Sequence, residues 1–279
     1  MGNQKKAAAS KVPNTIAHKL YLSDFLREPA IRSAIKALQL PSGSRGLDAG
    51  CGIGSHTLLL AEAVAPGGHV TGLDQSPQLL NHARETAEKS GLSEQVSFRE
   101  GDVNKLPFDN DTFDWVWSVD CVGYAPGEPV TLLKELSRVV RPGGSVAILG
   151  WSSQQLLPGY PILEARLNAT SSGIAPFTKR RRPQSHFLRA LGWFREAGLE
   201  EPTAQTFVGD AHAPLSDDVR SALISLLEMR WGEPRSELSP EEWEEYQRLS
   251  HTQSPDFILN LADYYAFFTY SMFRGTVAK

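Results

Sequence analysis

The residues of this chain best placed to do chemistry form one short run, Leu47-Asp48-Ala49-Gly50-Cys51-Gly52-Ile53-Gly54. Three glycines at every second position let a backbone turn sharply and let a ligand lie against it without meeting a Cβ. Between a strand and a helix, such a turn reads as a nucleotide-type binding element, although a tight turn that holds nothing has the same composition. The dinucleotide fingerprint requires G-x-G-x-x-G. Here the spacing is G-x-G-x-G, and Ser55 stands where the third glycine belongs. Asp48 precedes the loop within the strand, which argues against a pyrophosphate ligand and for a smaller, cationic one. Further acids, Asp74, Asp102 and Asp120, fall near the ends of later strand-like runs.

The elements that must position these residues alternate along the chain. Apolar Leu22, Phe25, Leu26, Ile31, Ile35 and Leu38 mark a helix over 21–40, stopped by Pro41-Ser42-Gly43. A strand at 45–49 runs into the glycine cluster, a helix covers 56–65, and a second strand covers 70–74. Ser76-Pro77 starts the next helix as N-cap and first-turn proline, and Gly91 ends it. Strands at 96–101 and 113–120, a helix at 129–140, the breaker Arg141-Pro142-Gly143-Gly144 and a strand at 146–150 complete the pattern. Such alternation predicts βαβ units and a parallel sheet with helices on both faces. After Trp151 the rhythm changes. Residues 152–184 carry no strand signal and include the basic run Lys179-Arg180-Arg181-Arg182. A helix at 185–197 ends at Gly198, and a strand follows at 203–208. Residues 215–262 read as helical, with capping-box spacing at Ser239-Pro240-Glu241-Glu242 and another helix start at Ser254-Pro255. A final strand is predicted over 267–278.

Composition narrows the possible functions. Lys+Arg 28 against Asp+Glu 32 gives a net charge of −4, too little basic excess for a protein whose main task is gripping nucleic acid. The 41% hydrophobic and 22% charged content speaks against disorder and coiled coil. The two cysteines, Cys51 and Cys121, cannot build a disulfide framework or a four-thiolate metal site, so no metal and a reducing cytoplasm are expected. Residues 1–11 lack the apolar core of a signal peptide, and Lys6 occupies the position where a myristoylation signal wants Ser or Thr. The stretch 257–273 is interrupted by Asn260 and Asp263 and is too short to span a bilayer. A soluble protein without a membrane partner is the expectation.

Four segments in order carry a family resemblance: LDAGCGIG at 47–54, VTGLD at 70–74, GDVNKLPF at 101–108 and LSRVVRPGGSVAI at 136–148. On these the chain resembles the class I S-adenosylmethionine-dependent methyltransferases, in particular the small-molecule group similar to the ubiquinone/menaquinone and sterol enzymes. The resemblance implies an α/β fold: a Rossmann-like, doubly wound, mostly parallel seven-stranded sheet with helical cap insertions. It implies an N-terminal helical segment at 1–43, a cofactor-binding core at 44–151, cap insertions at 152–184 and 213–263, and completion of the sheet by 185–212 and 264–279. It implies that Asp74 accepts from the ribose hydroxyls with Gln75 alongside, and that Asp102 accepts from the adenine amino group with Val103 offering backbone. Gly50, Cys51 and Gly52 would supply backbone to the cofactor. Asp48 would orient the loop or, through water, the methionine amino group. Asp120 and Cys121 would stand where sulfur and acceptor meet. Two plainer readings stay open: Asp74 exposed beside a helix capped by Ser76, and Asp102 in an Asx-type turn.

Methyl transfer is an in-line displacement on carbon already activated by positive sulfur, so alignment and water exclusion matter most and a general base is optional. No constellation surrounds His56, His186, His212 or His251, and His82 lies in an exposed helix, so all five read as structural or exposed. Cys51 has no partnered base and does not read as a nucleophile. The segment Asp120-Cys121-Val122-Gly123-Tyr124 departs from the Asn/Asp-Pro-Pro-Tyr type, which argues against nucleobase and protein-glutamine acceptors. The absence of a three-cysteine set argues against metalloid acceptors. A small-molecule acceptor is expected, with S-adenosylhomocysteine as the second product. Tyr21, Tyr124 and Trp151 are the pocket candidates; Tyr124 is the candidate for contact with the reacting centre and equally for a packed aromatic. The Lys179 to Arg182 run reads as a solvated loop or as a site for an acidic acceptor. Two alternatives remain at this level: an NAD-dependent oxidoreductase, supported by Asp74 and opposed by Ser55, and a non-catalytic protein that binds S-adenosylmethionine.

Overall fold

Buried, β-rich runs between turns produce seven strands in one sheet: β1 (Arg45–Ala49), β2 (His69–Asp74), β3 (Val96–Glu100), β4 (Phe113–Val119), β5 (Val140–Gln155), β6 (Leu199–His212) and β7 (Tyr265–Val277). The computed structural model describes residues 16–124, 127–175, 177, 182–232 and 234–279. The spatial order is β3-β2-β1-β4-β5-β7-β6. The first five strands are mutually parallel, and β7 runs antiparallel to both β5 and β6. The order reverses between β1 and β4, and in open α/β sheets the crevice beyond the carboxyl ends at such a point is the ligand-binding place.

Eight helices are present among the described residues. On the first half lie α1 (Ile16–Leu38), α2 (Ser55–Ala63), α3 (Pro77–Lys89) and α4 (Pro129–Arg138); after β5 come α5 (Pro161–Asn168), α6 (Ala190–Glu196), α7 (Asp217–Trp231) and α8 (Pro240–Ser250). Period-two alternation in β4 divides the core into two layers. Trp115, Trp117 and Val119 join the layer under α1, α2 and α7, while Val116 joins the layer under α4 and α6. Ser76 caps α3 by accepting from Leu79 N, and Ser239 with Glu242 forms the expected capping box on α8.

The second half differs from the sequence expectation in four places. The fifth strand is 16 residues long and includes the Pro-Gly-Gly run read as a breaker. A register shift against β4 between Phe113 and Trp115 absorbs that run, and pairing with β7 as far as Gln155 keeps residues 152–155 extended. The first insertion therefore begins after Gln155. Similarly β6 covers 14 residues because β7 pairs along it from Leu199 to His212. At 185–197, two 3-10 turns precede the short α6, and Ser254-Pro255 opens no α-helix, only a turn leading to the 3-10 turn Ile258–Asn260. Lys179, Arg180 and Arg181 lie outside the described residues, as does 1–11; Arg182 is exposed. No described helix is long and apolar enough to cross a membrane, and no cluster of three or more metal-ligating side chains occurs among the described residues.

Candidate active site

The carboxyl ends of β1, β2 and β4 bring the glycine loop and its acids together. Gly50, Gly52 and Gly54 all have positive φ, at 86°, 53° and 81°, the left-handed region that glycine alone enters freely. A Cβ on Gly50 would stand 2.2 Å from Cys121 Sγ. A Cβ on Gly54 would meet Ala83 of α3 at 2.8 Å. Gly54 thus performs the close packing that a dinucleotide loop assigns to its third glycine, one residue earlier. The loop is anchored by Asp74, whose Oδ2 accepts from Gly52 N at 3.0 Å and whose Oδ1 accepts from Ser76 N at 2.9 Å. Gln75 beside it is exposed.

Asp48 lies beneath the loop, 1% exposed, and accepts from the Thr57 hydroxyl at 2.7 Å. Burial pushes its carboxyl up to about 7; Thr57 opposes this, and the nearby Asp24 and Asp74 carboxylates add to it. Asp102 is exposed and accepts at Oδ1 from both Asn104 N and Asn104 Nδ2, and these bonds hold its carboxyl below the ordinary value. The Asx-type turn is therefore present, and Oδ2 has no partner among the described residues. Val103 next to it is half-buried. Burial, with neighbouring acids, raises both thiols, Cys121 to about 12 and Cys51 further. Neither is a thiolate at neutral pH.

A charged network missed by sequence reasoning joins α1 to this edge. Arg27 donates to Asp24 within its helix, to Asp120 Oδ2 at 3.0 Å and to the Tyr270 hydroxyl at 3.1 Å. Asp120, at positive φ just after β4, also accepts from Trp151 N at 3.2 Å. Burial opposes the charge on Arg27, yet Tyr270, Asp24 and Asp120 together hold its pKa well above the ordinary value. Desolvation outweighs Arg27 at Asp120 and raises its carboxyl. His56 is buried 3.9 Å from Asp24, and burial pulls its pKa down to about 4, so the ring is neutral. The signal available in sequence was an Asp and an Arg three apart, bordering the apolar stripe of Leu22, Leu26 and Ala30.

Beyond Asp120 the loop enters a cavity of about 380 Å³ roofed by the segment after α5 and by α7. Gly123, Tyr124, Trp151, Gln154, Phe187 and Arg230 are among its walls. Tyr124 and Trp151 thus line the same cavity. Tyr21 does not join them: it lies with Asp24, Ser55 and His56 in a separate depression of about 170 Å³, because the face of α1 that carries it turns towards α2. The Tyr124 hydroxyl donates to Trp151 O at 2.8 Å and burial raises its pKa far above 10, so this phenol accepts no proton at neutral pH. His186 also lines the cavity, with Nδ1 accepting from Leu188 N. His212 and His251 lie on exposed surface, while His82, expected to be exposed, is half-buried on α3.

This sheet order and glycine edge define a Rossmann-like α/β fold with a nucleotide-type binding edge. Residues 47–144 match the family described as a methyltransferase domain. The chain is 37% identical over 193 residues to the demethylmenaquinone methyltransferase of Bacillus pumilus, covering 64% of this chain and 80% of that protein. It is 31% identical over 205 residues to a sterol 24-C-methyltransferase of Gibberella zeae, covering 68% of this chain and 51% of that one. In fold it is similar to Haemonchus contortus phosphoethanolamine N-methyltransferase 2 solved with S-adenosyl-L-methionine, with a TM-score of 0.56 and 17% identity over 94% of this chain and 57% of that one. The chain belongs to the S-adenosylmethionine-dependent methyltransferases, and S-adenosylmethionine is its methyl donor.

Proposed function

We propose that the protein methylates a small molecule held in the cavity beside Tyr124 and Trp151, with the methyl donor lying along the glycine edge. The observation that carries this reading is Asp74: each of its oxygens accepts one backbone N–H, and each retains a lone pair for a ribose hydroxyl. The surroundings fit the cofactor's charge, since Asp24, Asp48, Asp74 and Asp120 outnumber the single Arg27 among them. When bound, the cofactor supplies a methyl group on positively charged sulfur. Gly50, Cys51 and Gly52 would give it backbone, Gln75 would flank the ribose, and Oδ2 of Asp102 with Val103 would meet the adenine. Asp48, locked on Thr57, orients the loop. Asp120 and Cys121 border the point where donor and acceptor meet, and the Arg27 network holds Asp120 there.

Among the described residues Tyr124 stays a neutral phenol and Asp120 is taken up by Arg27 and Trp151 N, so alignment and exclusion of water carry the catalysis. Small-molecule acceptors are in keeping with the names of the relatives, and the net charge of −4 disfavours nucleic acid. Two free cysteines suit a reducing cytoplasm. In domain terms, α1 forms a lid on a core spanning 44–155, and the segments 156–184 and 213–263 form the cap.

Equilibrium titration tests the reading. S-adenosylhomocysteine should bind in the micromolar range while NAD does not, and an acceptor panel should yield turnover. Saturation by NAD with no heat from S-adenosylhomocysteine would overturn it.

A further inference from the structure

Five buried side-chain polar atoms lack a partner among the described residues, and three of them, Trp151 Nε1, Gln154 Oε1 and Arg230 Nε, belong to residues lining the one cavity. Their neighbours fix what each atom is. An indole N–H only donates, so Trp231 Nε1, at 3.0 Å, makes the Asn168 atom it meets the carbonyl oxygen. That oxygen accepts from Gln154 at 3.1 Å, which makes the Gln154 atom the amide nitrogen. Oε1 is left as an acceptor, on a side chain that is 4% exposed.

Arg230 is the more telling case. Its Nη2 donates to Gly173 O at 2.7 Å, and its guanidinium lies 5.8 Å from the centroid of the Trp151 ring. None of the ion pairs among the described residues includes it. Arg27 lies between two carboxylates, whereas half-buried Arg230 has no ion-pair partner and feels Asp120 only from beyond ion-pair distance. Enclosing a cation without a counter-charge is costly, and such groups are normally paired. Burial accordingly pulls its pKa down from the ordinary value. The remaining walls include the rings of Tyr124, Phe177, Phe187 and His186, which suit a flat molecule. A long prenyl or sterol hydrocarbon would instead lie against the unpaired guanidinium.

We propose that this cavity recognises a small planar acceptor by an oxyanion. Arg230 Nε and Trp151 Nε1 donate to a carboxylate or phosphate oxygen, and Gln154 Oε1 accepts from a hydroxyl or amine on the same molecule. The assignment rests on reading this cavity as the acceptor site, and it names what that site selects.

Calorimetry on the full chain with S-adenosylhomocysteine present provides the test, using benzoate, phenyl phosphate and the neutral benzamide as probes. At least one anion should bind about 10- to 150-fold more tightly than benzamide, the range for a hydrogen bond to a charged group. Which anion wins distinguishes a carboxylate from a phosphate acceptor. Arg230→Gln should erase that preference and leave S-adenosylhomocysteine affinity unchanged. Trp151→Phe, which keeps the ring and removes the N–H, should weaken the anion by about 2- to 12-fold. Equal binding of benzamide, no binding of either anion, or a preference that survives Arg230→Gln would overturn the proposal. A co-crystal structure separates the two failures: an anion bound elsewhere sinks the cavity as acceptor site, while one inside the cavity but away from Arg230 and Trp151 sinks only the charge recognition.

Discussion

The two halves of the site solve opposite electrostatic problems. Along the ends of β1, β2 and β4, acids crowd a backbone loop and one arginine answers two of them. In the cap-side cavity a cation lies among rings and amides with no acid paired to it, Asp120 acting on it only from beyond ion-pair distance. The first arrangement is complementary to a positive ligand and the second to a negative one. The loop side is fixed by φ angles and short-range hydrogen bonds. The cap side is fixed by side chains that meet across 14 to 63 residues of chain, as in the Gln154–Asn168–Trp231 relay.

Five substitutions can break or sharpen that contrast. The largest effect is expected from Arg27→Met, which strands two enclosed carboxylates; urea unfolding should show a loss of about 3–5 kcal/mol. Gly50→Ala sets a Cβ against Cys121 Sγ at positive φ, and strain plus overpacking should cost about 2–5 kcal/mol. Adding Cys121→Ala should recover the overpacking share and leave the strain, so a strictly additive double variant would contradict the geometry.

Asp74→Ala should weaken S-adenosylhomocysteine about 10- to 150-fold by calorimetry, the cost of losing a charged acceptor. Binding of any probe in the cap-side cavity should not change, which is what separates the two halves. The last contrast is a pH slope. Asp48 has a native pKa of about 7 against 3.8 ordinarily, so its contribution is most favourable below about 4 and is lost as pH rises towards 7. His56, at about 4 against 6.5, works the other way, and the stability it leaves intact above 6.5 is lost on acidification towards 4. Asp48→Asn removes only the first slope. Its melting temperature should therefore gain on the parent's more at pH 7 than at pH 4.5, and a parallel shift at both would show that Asp48 does not titrate in that window.

What could be read in the sequence follows the same division. Strand β1 was predicted with its observed bounds, because buried Leu47 and Ala49 run straight into glycines that only a sharp turn explains. The placement of Asp74 and Asp102 at strand ends followed from the same local rules. Strands β5 and β6 came out too short, because their outer residues are held by β7 rather than by their own pattern; Ser152 and Thr269 join hands over 117 residues. Arg230 gave no sequence signal at all. A single basic residue in the last turn of a helix is ordinary composition, and only the fold places it beneath Trp151. Tyr21 shows the converse: its position in an N-terminal helix was read correctly, but the helix presents it to α2 and not to the cavity beside Tyr124 and Trp151.

The slot between β5 and β6 is filled by a strand that comes after both in chain order. During synthesis, therefore, β6 has no strand partner and β5 has only β4 until the residues of β7 have left the ribosome. The same strand carries Phe268, stacked on Trp151, and Tyr270, bonded to Arg27. A ribosome-bound intermediate can already display the glycine turn, yet the ring stacked on Trp151 and the brace on the N-terminal helix arrive together as a late event. Nascent chains halted before about residue 265 thus lack both.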